Sequence, residues 1–328
     1  MVSVLVPVYN KTQEELTRCF ESILMQTDKN FELIITDDGS SSDVAVFLDE
    51  YTKLNKKRCL GGVVCYHYQN GGVWNARNRG QEKANGQWIM HVNADDRIEL
   101  DTIESALEAI RNNRDVEMVF WGLRDDSWTT DYKTCGGDKL FITPLETRID
   151  LPHDVLCATP FCDVTCLVRK DKALPFRPEL IGAEFERQVR VIAACNQLYF
   201  IDRPFYNYVS GENTISATHA NMNWRIKSIE DFREALIFNN FKTVDEYLIM
   251  HAVNVIHYAA INGVSACREI DNTVIAEIIR KVSVNELLHL TYRMAIISIM
   301  FRVGMFSPLV LMLRLAKALK RQRKETCN

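Results

Sequence analysis

Apolar and polar positions alternate between two periods along the first 125 residues. Val2 to Val8 is an apolar, β-rich run, and Asn10 marks a turn after it. Leu16, Phe20, Ile23 and Leu24 follow at helical spacing. Phe31 to Thr36 predicts a second strand, ended by the turn cluster Asp37-Asp38-Gly39-Ser40. A helix is expected over about Val44 to Leu54, and a third strand over Gly62 to Tyr68. Asn70-Gly71-Gly72 turns the chain into a helix around Trp74 to Ala84, which Asn85-Gly86 caps. Gln87 to Val92 predicts a fourth strand. Asp95 and Asp96 precede an amphipathic helix through Ile103, Leu107 and Ile110, and Val116 to Leu123 closes the series.

Strands separated by single helices of this length predict a parallel sheet with helices on both faces. Such sheets bind ligands at the carboxyl ends of their strands. The polar motifs Asn10, Asp37-Asp38, Asn70 and Asp95-Asp96 all follow strand ends. From Arg124 to about Pro152 the pattern breaks into Gly, Thr and Asp, and a loop that long is more often functional than idle. Sheet-like segments return at Asp163 to Val168 and Leu198 to Tyr208, with a helix near Glu184 to Ala194 between them. After Ser216 the pattern is helical, over Trp224 to Phe238, Val244 to Ile261 and Thr273 to Val282. Two domains are expected, 1–215 and 216–328.

Composition narrows the class. With 47% hydrophobic and 25% charged residues, a mainly disordered or collagen-like chain is excluded. The net charge of −4 offers nucleic acid no whole-surface attraction, and none is expected as a partner. Met1 to Val8 carries no basic leader or cleavage site, so it is expected to be a strand and not a signal peptide. The ten cysteines include no Cys-x-x-Cys pair, and the spacing of Cys157, Cys162 and Cys166 does not supply four zinc ligands. Reduced, scattered thiols are the expectation. The seven histidines form no His-Glu-x-x-His element, and His251 and His257 do not share a helical face.

Two adjacent carboxylates after a strand, Asp95-Asp96, suit a hard divalent cation that keeps positions free for phosphates. A helix cap is the plainer role. Asp37-Asp38 suits hydrogen bonds to a nucleobase and ribose, or a plain turn. Arg77, on the helix after Asn70, is a candidate charge for phosphate or base, or a solvated side chain.

The order of these motifs resembles the family 2 glycosyltransferases. The matching residues are Val4-Leu5-Val6-Pro7-Val8-Tyr9-Asn10, Ile35-Thr36-Asp37-Asp38-Gly39-Ser40, Asn70-Gly71-Gly72 leading to Ala76-Arg77-Asn78-Arg79-Gly80, Ala84-Asn85-Gly86, and Asn93-Ala94-Asp95-Asp96. The resemblance covers about residues 2–210. It implies the GT-A nucleotide-sugar fold, an α/β class with a mostly parallel, Rossmann-like sheet and helices on both faces, here with a C-terminal helical region. It further implies an inverting hexosyl transfer from a nucleotide diphosphate sugar, with uridine as the default base, assisted by Mn2+ or Mg2+. The acceptor would be a saccharide or lipid-linked saccharide, in the building of a cell-surface polysaccharide or glycan.

By this resemblance Pro7 and Tyr9 lie against the base, and Asp37 or Asp38, the latter favoured, meets its edge. Arg77 positions the nucleotide. Asp95 and Asp96 correspond to the Asp-x-Asp region that meets ribose and the metal-bound diphosphate. Two departures stand out. Asn93 occupies a position where the family usually has Asp, so Asp95 and Asp96 are left to carry the metal. Gly182-Ala183-Glu184 stands where the family has Gly-Glu-Asp, which puts Glu184 at the general-base position, one methylene longer. Glu186 is the fallback, and both acids also suit a helix's first turn.

In the Arg124–Pro152 stretch, Trp128 is the candidate acceptor contact, with Tyr132 beside it, while Trp121 suits either the core or a sugar face. The segment 284–328 pairs apolar helices with a basic end. Its uncharged run Val303 to Leu313 is shorter than the ~20 residues of a membrane span. Lys317, Lys320, Arg321, Arg323 and Lys324 then fit a helix lying on an anionic membrane surface, or a core helix with a solvated tail. The expected location is the cytoplasm, peripheral on the inner face of the plasma membrane. Three alternatives compete. A sugar nucleotidyltransferase lacks its Gly-rich loop here, and a dehydrogenase lacks Gly-x-Gly-x-x-Gly after the first strand. A transferase-like binding protein without catalysis is kept in play by Asn93 and Ala183.

Overall fold

The computed structural model describes residues 1–125, 136–142, 162–209, 222–239, 244–281 and 292–313. Trp128, Tyr132, Cys157 and the basic tail beyond 313 lie outside them. The chain divides into two compact units, Met1–Thr214 and Ile215–Asn328.

The first unit opens with β1 (Val2–Val8), buried along nearly its whole length, as the continuous apolar run requires. Thr12 caps α1 (Gln13–Leu24) through a capping box: its hydroxyl accepts the Glu15 N–H at 3.2 Å, and Glu15 returns to the Thr12 N–H at 2.8 Å. The helix buries Leu16, Cys19, Phe20, Ile23 and Leu24, one stripe against the sheet. Next come β2 (Phe31–Asp37), α2 (Ser42–Asn55), β3 (Val63–His67), α3 (Val73–Lys83) and β4 (Trp88–His91). The two-residue β5 (Arg97–Ile98), α4 (Thr102–Asn112) and β6 (Met118–Asp125) follow. The remaining elements are β7 (Lys139–Ile142), a 3-10 turn over Asp163–Thr165, β8 (Cys166–Arg169), α5 (Ala183–Ala194) and β9 (Gln197–Tyr208).

The sheet has nine strands, ordered β3-β2-β1-β4-β8-β6-β9-β5, with β7 on β9. The quartet β3-β2-β1-β4 is parallel throughout, as the alternation predicts. The second half differs. Sequence order would set β6 beside β4, but β8 lies between them, antiparallel to both. Asp163 to Val168 is therefore not one strand: its first three residues form the 3-10 turn that precedes β8. β9 runs parallel to β6 with a register shift near Gly122, and it also carries β5 and β7 antiparallel. Trp121 is core, packed edge-on against Phe205. Neither Asp95 nor Asp96 caps α4, whose N-cap is Asp101.

The second unit is helical: α6 (Met222–Phe238), α7 (Val244–Asn262), α8 (Val264–Ile270), α9 (Val274–Lys281) and α10 (Tyr292–Arg302). In α7, Leu248, Ile249, Ala252, Val253, Val255, Ile256, Ala259 and Ala260 are all buried, so its packed surface is wider than a single stripe. Arg233 on α6 pairs with Glu277 on α9 at 3.0 Å. Among the described residues no helix is long and apolar enough to cross a membrane.

Candidate active site

β1 pairs with β2 so that Val8 faces Asp37, and β2 pairs with β3 so that Asp37 faces His67. Three chain segments therefore leave the sheet at one edge. Asn10, with φ of 47°, ties the first two: its Oδ1 accepts the Ser41 N–H at 2.8 Å, and its N–H donates to Ser40 Oγ at 3.0 Å. Asp38 is turned inward, and its two oxygens accept the N–H groups of Gly71 (2.9 Å) and Gly72 (2.8 Å). The loops approach so closely that a Cβ on Gly39 would lie 2.7 Å from the Asn70 nitrogen, and Gly39 itself has φ of 79°. Asp37 accepts the Ser40 N–H at 3.0 Å, and its other oxygen meets His67 Nδ1 at 2.7 Å. His67 Nε2 in turn meets Asp49 at 3.1 Å. Burial works against a charged imidazole, but these carboxylates outweigh it and hold the His67 pKa above its ordinary value. Pro7 is half-buried in β1, and Tyr9 projects with 52% of its surface exposed.

The loop after β4 gives its two acids opposite surroundings. Asp95 is partly exposed, with Lys11 Nζ 2.5 Å from its Oδ2, while Arg18 holds its backbone carbonyl at 2.8 Å. Asp96 is 0% exposed. Its Oδ2 accepts the Tyr206 hydroxyl at 2.6 Å and the Asn93 side-chain amide at 2.9 Å, and its Oδ1 accepts the Val209 N–H at 2.8 Å. Burial, with the Asp95 charge beside it, pushes the Asp96 pKa up to about 6 despite these donors.

Arg77 is buried and connects this loop to the segment before β8. Its guanidinium donates to Asn93 Oδ1 at 2.6 Å and forms a salt bridge with Asp163, with its Cζ about 5 Å from the ring centroids of Trp74 and Phe176. Asp163 is hydrogen-bonded to Glu184, at the start of α5. Two carboxyl groups make that bond only when one carries a proton. Burial opposes the charge on Asp163, but Arg77 holds its pKa down to about 2. Glu184 goes the other way: burial and the Asp163 charge push it up to about 8. The proton thus resides on Glu184. Its Oε1 also accepts the Cys162 thiol at 3.2 Å. Glu186 is committed elsewhere, to Arg190 at 2.7 Å and Arg177 at 3.1 Å.

Glu184, Asp163, Arg77, Asn93 and Asp96 thus form one hydrogen-bonded series drawn from four places in the chain. Asp37, Asp38, Pro7 and Tyr9 belong to the neighbouring corner, after β1 and β2. Trp128 lies outside the described residues. Asp163, Tyr206 and Lys11 escaped the sequence reading. None belongs to a quoted motif, although Lys11 adjoins Asn10, and their partners lie 86, 110 and 84 residues away.

This geometry has known counterparts. Staphylococcus aureus TarS 1–349, solved in complex with UDP, superposes with a TM-score of 0.63 over 97% of this chain and 91% of that one, at 14% identity. The mannosyltransferase PcManGT of Pyrobaculum calidifontis, solved with GDP-Man and Mn2+, gives 0.54 over 96% and 86%, at 13% identity. These likenesses define the fold as that of the GT-A glycosyltransferases. The family model described as glycosyl transferase family 2 matches residues 3–172, more than half of the chain, and the chain belongs to that family. An uncharacterized glycosyltransferase of Rickettsia felis is 38% identical over 112 residues, 34% of this chain and 17% of the relative. The minor teichoic acid biosynthesis protein GgaB of Bacillus subtilis is 26% identical over 266 residues, 76% of this chain and 28% of the relative. The match therefore spans less than a third of either relative's length.

Proposed function

We propose that this chain transfers a hexosyl group from a nucleotide diphosphate sugar, by preference a UDP-sugar, to a saccharide or lipid-linked saccharide, with inversion at the anomeric carbon. The product would belong to a cell-surface polysaccharide or glycan. The observation that carries this reading is the hydrogen-bonded series from Glu184 through Asp163 and Arg77 to the Asn93–Asp96 loop. It ties a carboxyl with a raised pKa to the acids that follow β4, as a base beside a diphosphate site requires.

Asp95 fits a divalent cation, Mn2+ or Mg2+. Its carboxylate is partly open and already draws the Lys11 ammonium to its Oδ2. Asp96, expected from the sequence as a second ligand, has its oxygens engaged by three donors and is assigned here to holding the loop. A bound cation supplies neutralisation of the charge that develops on the departing diphosphate. Tyr9 offers an exposed ring to the base, Pro7 lies two residues before it in β1, and Asp37 and Asp38 fix the adjoining loops. Glu184, in its ionised form, takes the proton of the acceptor hydroxyl as that oxygen attacks the anomeric carbon opposite the leaving group. With its pKa near 8, transfer should rise with pH through neutrality and level off above about 8.

Glu184→Gln decides the reading. Transfer of labelled sugar should fall by roughly 10²–10⁴-fold while UDP binding, measured by calorimetry, persists. Wild-type-like turnover would remove Glu184 as base. For the membrane-surface reading, support comes from the exposed Val303, Met305 and Leu311 and from the basic residues beyond them in sequence. Sedimentation with anionic vesicles should carry the full chain down and leave a chain ending at Leu313 in solution. Equal partitioning of the two would end it.

A further inference from the structure

We infer that Lys11 is a donor-binding residue that exchanges partners: its ammonium holds the Asp95 carboxylate, yields it to the divalent cation, and passes to the donor's diphosphate. The exchange rests on the cation position proposed at Asp95.

The backbone on both sides of this side chain is fixed. Asn10 is tied to Ser40 and Ser41, and Thr12 is locked in the capping box of α1. On the facing loop, Arg18 holds the Asp95 carbonyl at 2.8 Å, and three donors anchor Asp96. Two pinned loops thus meet through one movable contact, Lys11 Nζ to Asp95 Oδ2 at 2.5 Å. The lysine stem is flexible, and both side chains keep partial exposure, so the ammonium can leave without disturbing the core. A pair of this kind contributes little to stability and is easily opened.

Charge makes the exchange necessary. An ammonium and a divalent ion on one carboxylate repel with twice the Coulomb energy of two unit charges. The displaced ammonium has a destination. Lys11 stands two residues after Tyr9, at the base corner, and touches Asp95, at the cation, so a diphosphate joining those two ends passes it. The neighbouring guanidinium groups are engaged by the protein itself: Arg18 by the Asp95 carbonyl, Arg77 by Asp163 and Asn93, and Arg79 by the Gln69 carbonyl and Asp38. Among these four cations, Lys11 is the one whose partner is claimed by a ligand. A compact ammonium also suits phosphate as a point charge. The charges balance before and after. Lys11 and Asp95 together carry none, and neither do a divalent cation and a nucleotide-sugar diphosphate with its two negative charges. Charge that develops on the departing nucleotide then falls beside the ammonium. Because each ligand frees a partner for the other, cation and donor bind cooperatively, and each raises the other's affinity by the same factor.

Mn2+ alone is the first probe, titrated into the full chain and followed by the electron paramagnetic resonance of the free ion. Lys11→Gln should bind it about tenfold more tightly than wild type, since one repelling charge is gone. At saturating Mn2+ the order reverses: UDP, measured by calorimetry, should bind Lys11→Gln about tenfold more weakly. Lys11→Arg keeps the charge and should show no gain in Mn2+ affinity. Should Lys11→Gln fold poorly, Lys11→Met is expected to give the same two readings. Equal Mn2+ affinity in wild type and the neutral variant, or equal UDP affinity at saturating Mn2+, overturns the exchange. If Asp95→Ala has lost Mn2+ binding, the cation position survives that failure. An Asp95→Ala chain that binds Mn2+ as wild type does removes the position and the exchange together.

Discussion

Two Asp-Asp pairs, Asp37-Asp38 and Asp95-Asp96, end the strands on either side of β1, and on paper they are the same motif. In both, the second aspartate is the anchor. Asp38 takes two backbone N–H groups, and Asp96 takes a hydroxyl, an amide and a backbone N–H. In both, the first aspartate faces a cationic side chain, His67 at one corner and Lys11 at the other. The difference lies in reach. Asp38 closes its corner within the parallel half, onto the start of α3. Asp96 reaches β9 through Tyr206 and the segment before β8 through Asn93 and Arg77. One corner is a local turn, and the other joins the two halves of the sheet. At the second corner the pair thus separates into a partly open carboxylate and a buried one used up by the fold, whereas at the first both aspartates are buried and engaged.

The largest effect that tests this division is on turnover. Asp95→Ala should cut metal-dependent transfer by about 10²–10³-fold. Its stability should stay within about 1 kcal/mol, because the partly exposed pair with Lys11 contributes little. A cooperative loss of Tm with normal turnover would reverse the roles of the two acids. Asp96→Ala should do the opposite in kind. It leaves the Tyr206 hydroxyl, the Asn93 amide and the Val209 N–H without their acceptor, at a cost of about 3 kcal/mol in urea unfolding. Stability equal to wild type would show that the cross-sheet link is dispensable. Asp38→Ala should cost less, about 1–2 kcal/mol, because the N–H groups of Gly71 and Gly72 lie on an exposed loop and regain water.

The parallel quartet is legible because β1, β2 and β4 are buried runs and each connection is a helix of ordinary length. Val2–Val8 is mostly Val and Leu, Phe31–Asp37 centres on Leu33-Ile34-Ile35, and both are buried on both faces, as strands of a sheet covered on both sides are. The second half is not. β8 is four residues long and β5 two, too short for periodicity to register. Nothing local in Cys166–Arg169 indicates that it slots in between β4 and β6. The site divides in the same way. Glu184 was reachable through its place after Gly182, whereas Asp163 sits among Cys162, Val164 and Thr165 with no feature that points to Arg77. Pairings set only by tertiary contact leave no spacing to find.

The smallest effect belongs to the pH response of the Asp37 corner. Histidine changes charge near neutral pH, so His67 is the partner that can leave Asp37 without a cation under ordinary conditions. Its folded pKa is raised, so the folded state holds the proton more tightly than the unfolded chain. The stabilisation is therefore fully present below the unfolded value of about 6.5 and is lost as pH rises through the folded one. His67→Gln should remove this slope and lower stability at pH 6 by no more than about 1 kcal/mol, since the imidazole is more than a third exposed. Above that window the two chains should converge in Tm. The donor KM should carry the same signature, with wild type and variant separating at pH 6 and meeting at alkaline pH, while kcat is shared. A stability difference that stays constant across the range would mean that His67 only packs at this corner, and that Asp37 does not depend on its charge.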